Sequence, residues 1–357
     1  MGTTIGFCTL HLPEVAPLNI SLSDDGSLLA VADLRGVRGD STPAGQPTDA
    51  FIFNVQSGEE VGRLTARDIA GASILGAVPA HRSTDATLPS KAATAENAKN
   101  HGVASVTFAR DGRLLLGTTT ADILVWTPRS TPGIRRLSVP PLPDLQRPIA
   151  QVRRFDPRTI TQIAFSPSGM RFAALVFGGA VIIGSWGDSP RVDTVVPTPE
   201  NTITTAFADE NKLLIGTEDT LVRIDLANNY DVRIIKTIQQ VVEQLATDPD
   251  RNRDLLATAG DAFQLWDGST GALLGPSSMD SGGAVAFSSD ASAIFLSARQ
   301  GSILEIDADL HSLVERACQL VDPSLAYTLE HIGIPQSYTT ICDRFSDAGR
   351  ITPSPNK

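Results

Sequence analysis

Three aspartates, Asp122, Asp219 and Asp261, each fall in a tight polar turn between two short apolar runs. Carboxylates at equivalent turns end up on one side of a molecule, and hard cations such as calcium favour oxygen clusters of that kind. The competing use is local, because an aspartate in a turn accepts bonds from nearby backbone N–H groups. The rest of the sequence offers little chemistry. The histidines, His11, His81, His101, His311 and His331, include no His-x-His or His-x-x-x-His pair that would put two imidazoles on one metal. A phosphate loop needs Gly-x-x-x-x-Gly-Lys-Ser/Thr to offer amides and a lysine to phosphates, and that string does not occur. Nor does a Gly-x-Ser-x-Gly elbow. Cys8, Cys318 and Cys342 cannot all pair, and a cysteine on an apolar helix face, as Cys318 is, reads as packing. The residues therefore predict no catalytic group, no cofactor and no metal, with acids gathered at a channel as the alternative.

What positions the three aspartates is a recurring meander. "SVTFARDGRLLLGTTTADILVW" (105–126) runs through three short apolar segments broken at Asp111-Gly112 and at Ala121-Asp122. Asp-Gly between two such runs is the strongest short hairpin signal a sequence offers. The same grammar returns at 160–184, 203–224, 241–266 and 283–306, and a looser copy opens the chain at 19–33 and 50–64. A fourth strand follows most copies, as in "GIRRLSV" (133–139) and "DVRIIKTI" (231–238). Four strands in about 40 residues make a propeller blade, which buries its faces only against neighbouring blades.

The expected fold is thus all-β, a β-propeller of six four-stranded blades near 18–64, 103–139, 160–196, 203–238, 241–277 and 283–307. Taking the last apolar residue of each first strand as a ruler gives Leu22, Phe108, Phe165, Phe207, Leu245 and Phe287. The step from Leu22 to Phe108 is about twice a blade repeat, which keeps seven blades as the alternative. Within it only "ASILGAV" (72–78) reads as a strand, and "HRSTDATLPSKAATAENAKNHG" (81–102) has loop composition. Two insertions, 34–49 and 65–102, stand out. The last blade lacks a fourth strand, and "TIGFCTLHL" (4–12) is the expected donor, closing the ring of a domain spanning 1–309. Residues 310–357 are expected to form a helical tail, because Leu310, Leu313, Val314, Ala317 and Leu320 recur at helical spacing. Such a stripe must cover something, and the rim or face beside the last blade is nearest.

Some residues carry a resemblance. Trp266-Asp267-Gly268-Ser269-Thr270-Gly271 resembles the end of a WD-repeat blade, where Trp-Asp closes the third strand before a Thr/Ser-Gly turn. Trp126-Thr127 and Ile224-Asp225 match in half, Asn54 to Gly58 keeps only the turn, and Asp122, Asp219 and Asp261 sit where that family places an aspartate. The family's Gly-His dipeptide is absent. Residues 314–345 are similar to the tail that follows propellers in bacterial signal-transduction ATPases with numerous domains, at Arg316, Ala317, Cys318, Leu320, Leu325, Glu330, Gly333, Tyr338, Thr340 and Cys342. The resemblance implies a sensor propeller that works beside a separate nucleotide-binding module.

Composition narrows the partners. Against 29 basic residues stand 40 acidic ones, a net charge of −11. That balance disfavours nucleic acid and anionic membrane, which need a concentrated positive field. No basic and apolar leader opens the sequence, and Gly6 stands where a myristoylation site wants Ser or Thr, so a cytoplasmic chain is expected. The expected function is a non-catalytic interaction scaffold or sensor in a bacterial signalling or defence assembly, with protein partners. The alternatives are a propeller hydrolase or lyase and a cation- or small-molecule-binding propeller. The candidate partner-binding residues are Arg35, Arg38, Asp40, Asp122, Asp219, Asp261 and Gln300.

Overall fold

The computed structural model describes residues 17–33, 49–65, 68–69, 71–75, 102–128, 133–143, 158–200, 202–237, 241–248, 255–268, 271–274, 281–288, 290–298 and 303–307. The predicted closing strand 4–12 and the tail 310–357 lie outside them.

Six sheets follow one another along the chain, each built on an antiparallel meander. Blade 1 is β1 (Pro17–Leu22), β2 (Leu28–Asp33), β3 (Ala50–Asn54) and β4 (Glu60–Leu64). After a short β5 (Ser73–Leu75), blade 2 is β6 (Val103–Phe108), β7 (Leu114–Thr118), β8 (Ile123–Trp126) and β9 (Ile134–Leu137). Blade 3 is β10 (Ile160–Phe165), β11 (Arg171–Val176), β12 (Ala180–Ser185) and β13 (Arg191–Pro197). Blade 4 is β14 (Thr202–Phe207), β15 (Lys212–Thr217), β16 (Thr220–Asp225) and β17 (Asp231–Thr237). Blade 5 is β18 (Val242–Thr247), β19 (Leu255–Gly260) and β20 (Gln264–Asp267), with its fourth strand reduced to a bridge between Trp266 and Leu273. Blade 6 is β21 (Ser281–Phe287), β22 (Ala293–Ala298) and β23 (Ile303–Asp307).

This is a six-bladed β-propeller. The seventh-blade alternative fails at β5, which pairs in parallel with β9 and so widens blade 2 into five strands. A connection that long reads as a hidden blade only if its strand is assumed to start a new sheet.

Apolar clusters form between blades. Leu114, Leu116, Leu124 and Trp126 pack with Ala30, Ala32 and Ile52 of blade 1, whereas Leu115, Ile123 and Val125 pack with Phe172, Ala174 and Ile182 of blade 3. Successive side chains on a strand point to opposite faces, so each sheet feeds two interfaces. The middle strands are consequently buried throughout, as in β7 and β19. Near-continuous apolar runs, rather than strict alternation, are what a sheet covered on both faces requires. Burying one Leu, Ile or Val side chain stabilises by about 1.5–3 kcal/mol.

The first strands lie side by side in chain order: β1, β6, β10, β14, β18, β21. Each has one ladder edge taken by its own second strand; from β6 to β21, side chains of the preceding blade serve the other. Val106 N–H donates to Asn19 Oδ1 at 2.9 Å, Thr205 N–H to Gln162 Oε1 at 2.7 Å, Leu245 N–H to Thr204 Oγ1 at 3.2 Å and Val285 N–H to Gln244 Oε1 at 3.1 Å. Between blades 2 and 3 the direction reverses: Ser105 and Thr107 hydroxyls donate to the carbonyls of Ile160 and Ile163. Register also shifts the ruler in blade 5. Thr247, not Leu245, pairs across its hairpin as Phe108 and Phe207 do in theirs.

Candidate interaction face

Antiparallel hairpins sort the connections by face. Turns joining first to second and third to fourth strands emerge on one side of the disk, here the turn face. Links from second to third strands, and from one blade to the next, emerge on the other, the connection face. Between the described strands every turn-face link is short: 23–27, 109–113, 166–170 and 208–211 are examples. On the connection face, the chain between β2 and β3 spans 34–49, that between β5 and β6 spans 76–102, and that between β9 and β10 spans 138–159. All three belong to the arc of blades 1 to 3.

Asp122, Asp219 and Asp261 lie in second-to-third turns of blades 2, 4 and 5, and therefore on the connection face. Each is engaged within its own blade. Asp122 Oδ2 accepts from Thr120 Oγ1 at 3.0 Å, and its Oδ1 is 3.7 Å from Arg136 Nη1. Asp219 Oδ1 accepts from Thr217 Oγ1 at 3.2 Å. Asp261 Oδ2 accepts from Val241 N–H at 3.3 Å. Among the described residues no group of three His, Cys, Asp or Glu side chains is placed to hold a metal ion. Arg35, Arg38, Asp40 and Gln300 lie outside the described residues.

Two threonines missed by sequence reading organise these turns. Thr118 Oγ1 accepts from the N–H groups of Asp122 at 2.9 Å and Thr120 at 3.2 Å. Thr217 Oγ1 likewise accepts from Thr220 at 2.8 Å and Asp219 at 3.2 Å. A hydroxyl that folds back on its own backbone is a known turn former. The available signal was the repeated Gly117-Thr118 and Gly216-Thr217 at the ends of second strands. Those glycines are needed because a Cβ at 216 would sit 2.7 Å from Val242 Cγ1 and 2.8 Å from Thr204 Cγ2 of the facing strands.

The turn face is latched between blades. Trp186, in the third-to-fourth turn of blade 3, donates from Nε1 to Asp111 Oδ2 at 3.0 Å, in the first hairpin of blade 2. Arg113 binds the same carboxylate at 2.6 Å and stacks on the indole, its Cζ 4.5 Å from the ring centroid. Burial pushes the Asp111 carboxyl up, but the Arg113 guanidinium and amide and the Trp186 N–H outweigh it, and the net direction is down. One junction further, Ser168 donates from N–H and Oγ to Glu210 of blade 4 at 2.5 and 2.7 Å. In blades 1 and 6 the turns are self-contained. Asp25 accepts from Ser23 and Ser27, and Asp290 from Ser288 and Ser292, and these bonds lower both carboxyls from 3.8 to about 2.

No family model matches the sequence, and none of the curated proteins does. Among solved structures the chain is similar to Kuenenia stuttgartiensis hydrazine synthase, with a TM-score of 0.55 and 10% identity over 82% of this chain and 84% of that one. At that identity the likeness shows the propeller fold alone. In all, 1469 solved chains match, so the architecture is too widely shared to select an activity. Among the described residues no helix is long and apolar enough to cross a membrane.

Proposed function

We propose that this protein is a non-catalytic interaction propeller whose connection face, over blades 1 to 3, binds a protein partner. The observation that carries this reading is the asymmetry of the links: 34–49, 76–102 and 138–159 all open on that face, while the turn-face links between described strands are all short. Variable loops held by a rigid scaffold are where recognition concentrates. Of the candidate residues, Arg35, Arg38, Asp40 and Asp122 fall in links of this arc and are the proposed contact set, whereas Asp219, Asp261 and Gln300 fall in second-to-third links of blades 4 to 6. The WD-like Trp266-Asp267 end and the tail resemblance of 314–345 favour a sensor in a cytoplasmic bacterial signalling or defence assembly. A net charge of −11 favours protein over nucleic acid or anionic membrane.

The test uses the tagged intact chain and a variant with 34–48 and 76–101 replaced by short Gly/Ser links, each added to a lysate of the source organism. A stoichiometric protein held by the intact chain and lost from the variant is the expected result. Equal capture by both would move the site to the turn face. No captured protein, together with a thermal shift on adding calcium or small metabolites, would favour the ligand-binding alternative.

A further inference from the structure

Five of the six blade junctions are buried and stitched, and the sixth, between blade 6 and blade 1, is built differently. The residue two before the end of each first strand faces the preceding blade. Val106, Ile163, Thr205, Leu245 and Val285 occupy that place and are 1, 5, 1, 4 and 3% exposed, but their counterpart Ile20 is 60% exposed. Leu22, on the same face of β1, is 55% exposed. The missing stitch has a sequence cause. Ala284 stands in β21 where Asn19, Gln162, Thr204 and Gln244 stand in other blades, and it has no polar atom to accept from the Ile20 N–H. On the other wall, Ile294, Leu296 and Ile306 pack toward blade 5. Alternation then turns Ile303 toward the seam, and it is 63% exposed.

We propose that this seam is the docking groove for the chain's own residues 310–320, with Leu310, Leu313, Val314, Ala317 and Leu320 covering Ile20, Leu22 and Ile303. Connectivity selects this occupant. Asp307 pairs with Ala293 beside the first hairpin of blade 6, and Leu22 pairs with Leu29 beside that of blade 1, so both are at the turn-face end of the seam. β23 lies two strands out from the first strand, about 10 Å, and the three residues from Asp307 to Leu310 span up to about 10 Å. As a helix, 310–320 extends about 16 Å, close to the length of a blade strand. An apolar stripe is the complement of such a wall, and here it leaves the last strand at the wall's edge.

Oxidative cross-linking tests the proposal on the full chain. Ile303→Cys, at the connection-face end of the seam where Cys318 falls two turns along the helix, is placed in a Cys8→Ser, Cys342→Ser background that keeps Cys318, with Met170→Cys, on the turn face of blade 3, as the control. An intramolecular disulfide for Ile303→Cys and none for Met170→Cys is expected. Hydrogen exchange supplies a second readout in case the cysteine variant misfolds: Leu313→Asp with Ala317→Asp should remove amide protection at 19–22 and leave 103–108 unchanged. A disulfide formed only between two copies, equal cross-linking at Met170→Cys, or protection at 19–22 indifferent to the tail variant would each overturn the assignment.

Discussion

The two faces of the disk are held by different physics. On the turn face the hairpins are closed by local aspartates and serines, and neighbouring blades are tied by Asp111, Arg113 and Trp186 and by Ser168 and Glu210. On the connection face the turns of blades 2 and 4 are folded by single threonine hydroxyls, and long links leave from the arc of blades 1 to 3. A propeller needs each blade fixed to the next, and one latched face together with the inter-blade cores is enough for that. The other face is then free to vary without unfolding the ring.

The strongest way to break this contrast is Trp186→Ala. It removes a buried indole that packs edge-on against Phe165 and Phe172 and takes away the inter-blade donor to the Asp111 carboxylate, which keeps Arg113. A loss of about 3–5 kcal/mol is expected by urea denaturation. A loss under about 1 kcal/mol would mean that the turn face is not the structural one. Glu210→Ala comes next, at about 1–2 kcal/mol, because Ser168 N–H and Oγ lose their shared acceptor.

Acid titration sharpens the comparison further. Asp25 and Asp290 are depressed to about 2, so the stability they give is present above the ordinary value of 3.8 and is lost as the pH falls through about 2. Asp25→Asn with Asp290→Asn should flatten the fall in melting temperature between pH 4 and 2, and an unchanged acid limb would contradict the assignment. The smallest effect is expected from shortening 34–48 and 76–101. Loop closure depends weakly on length, so stability should stay within about 1 kcal/mol while partner binding is lost.

Particular elements mark how far the sequence could be read. The hairpin at Asp111-Gly112 was legible because its signal is local: two apolar runs and a turn whose Gly112 adopts a φ of 80°. Blade 5 was misaligned by two residues because the ruler followed hydrophobicity, and the chain ends that strand on Thr247, whose hydroxyl donates to Phe207 O of blade 4. β5 was legible as a strand but not as a partner of β9, because parallel pairing across a long connection leaves no short-range mark. The aspartates were legible as sharing one side of the disk, yet the threonines that shape two of their turns went unnoticed. A hydroxyl that bonds its own backbone has no spacing rule as visible as a turn glycine.

By itself the sequence determined the repeated unit, the number of clear copies, the arc that carries the long links and the lack of a conventional catalytic string. These follow from period, turn chemistry and composition, which act within a few residues. Only the tertiary structure decided that the blades number six, that side chains of adjacent blades serve the free edges of the first strands, and that Ile20 lies bare where its five counterparts are covered. Those outcomes depend on which blade faces which, and contact between residues far apart in the chain is fixed by the closing of the ring rather than by any local run.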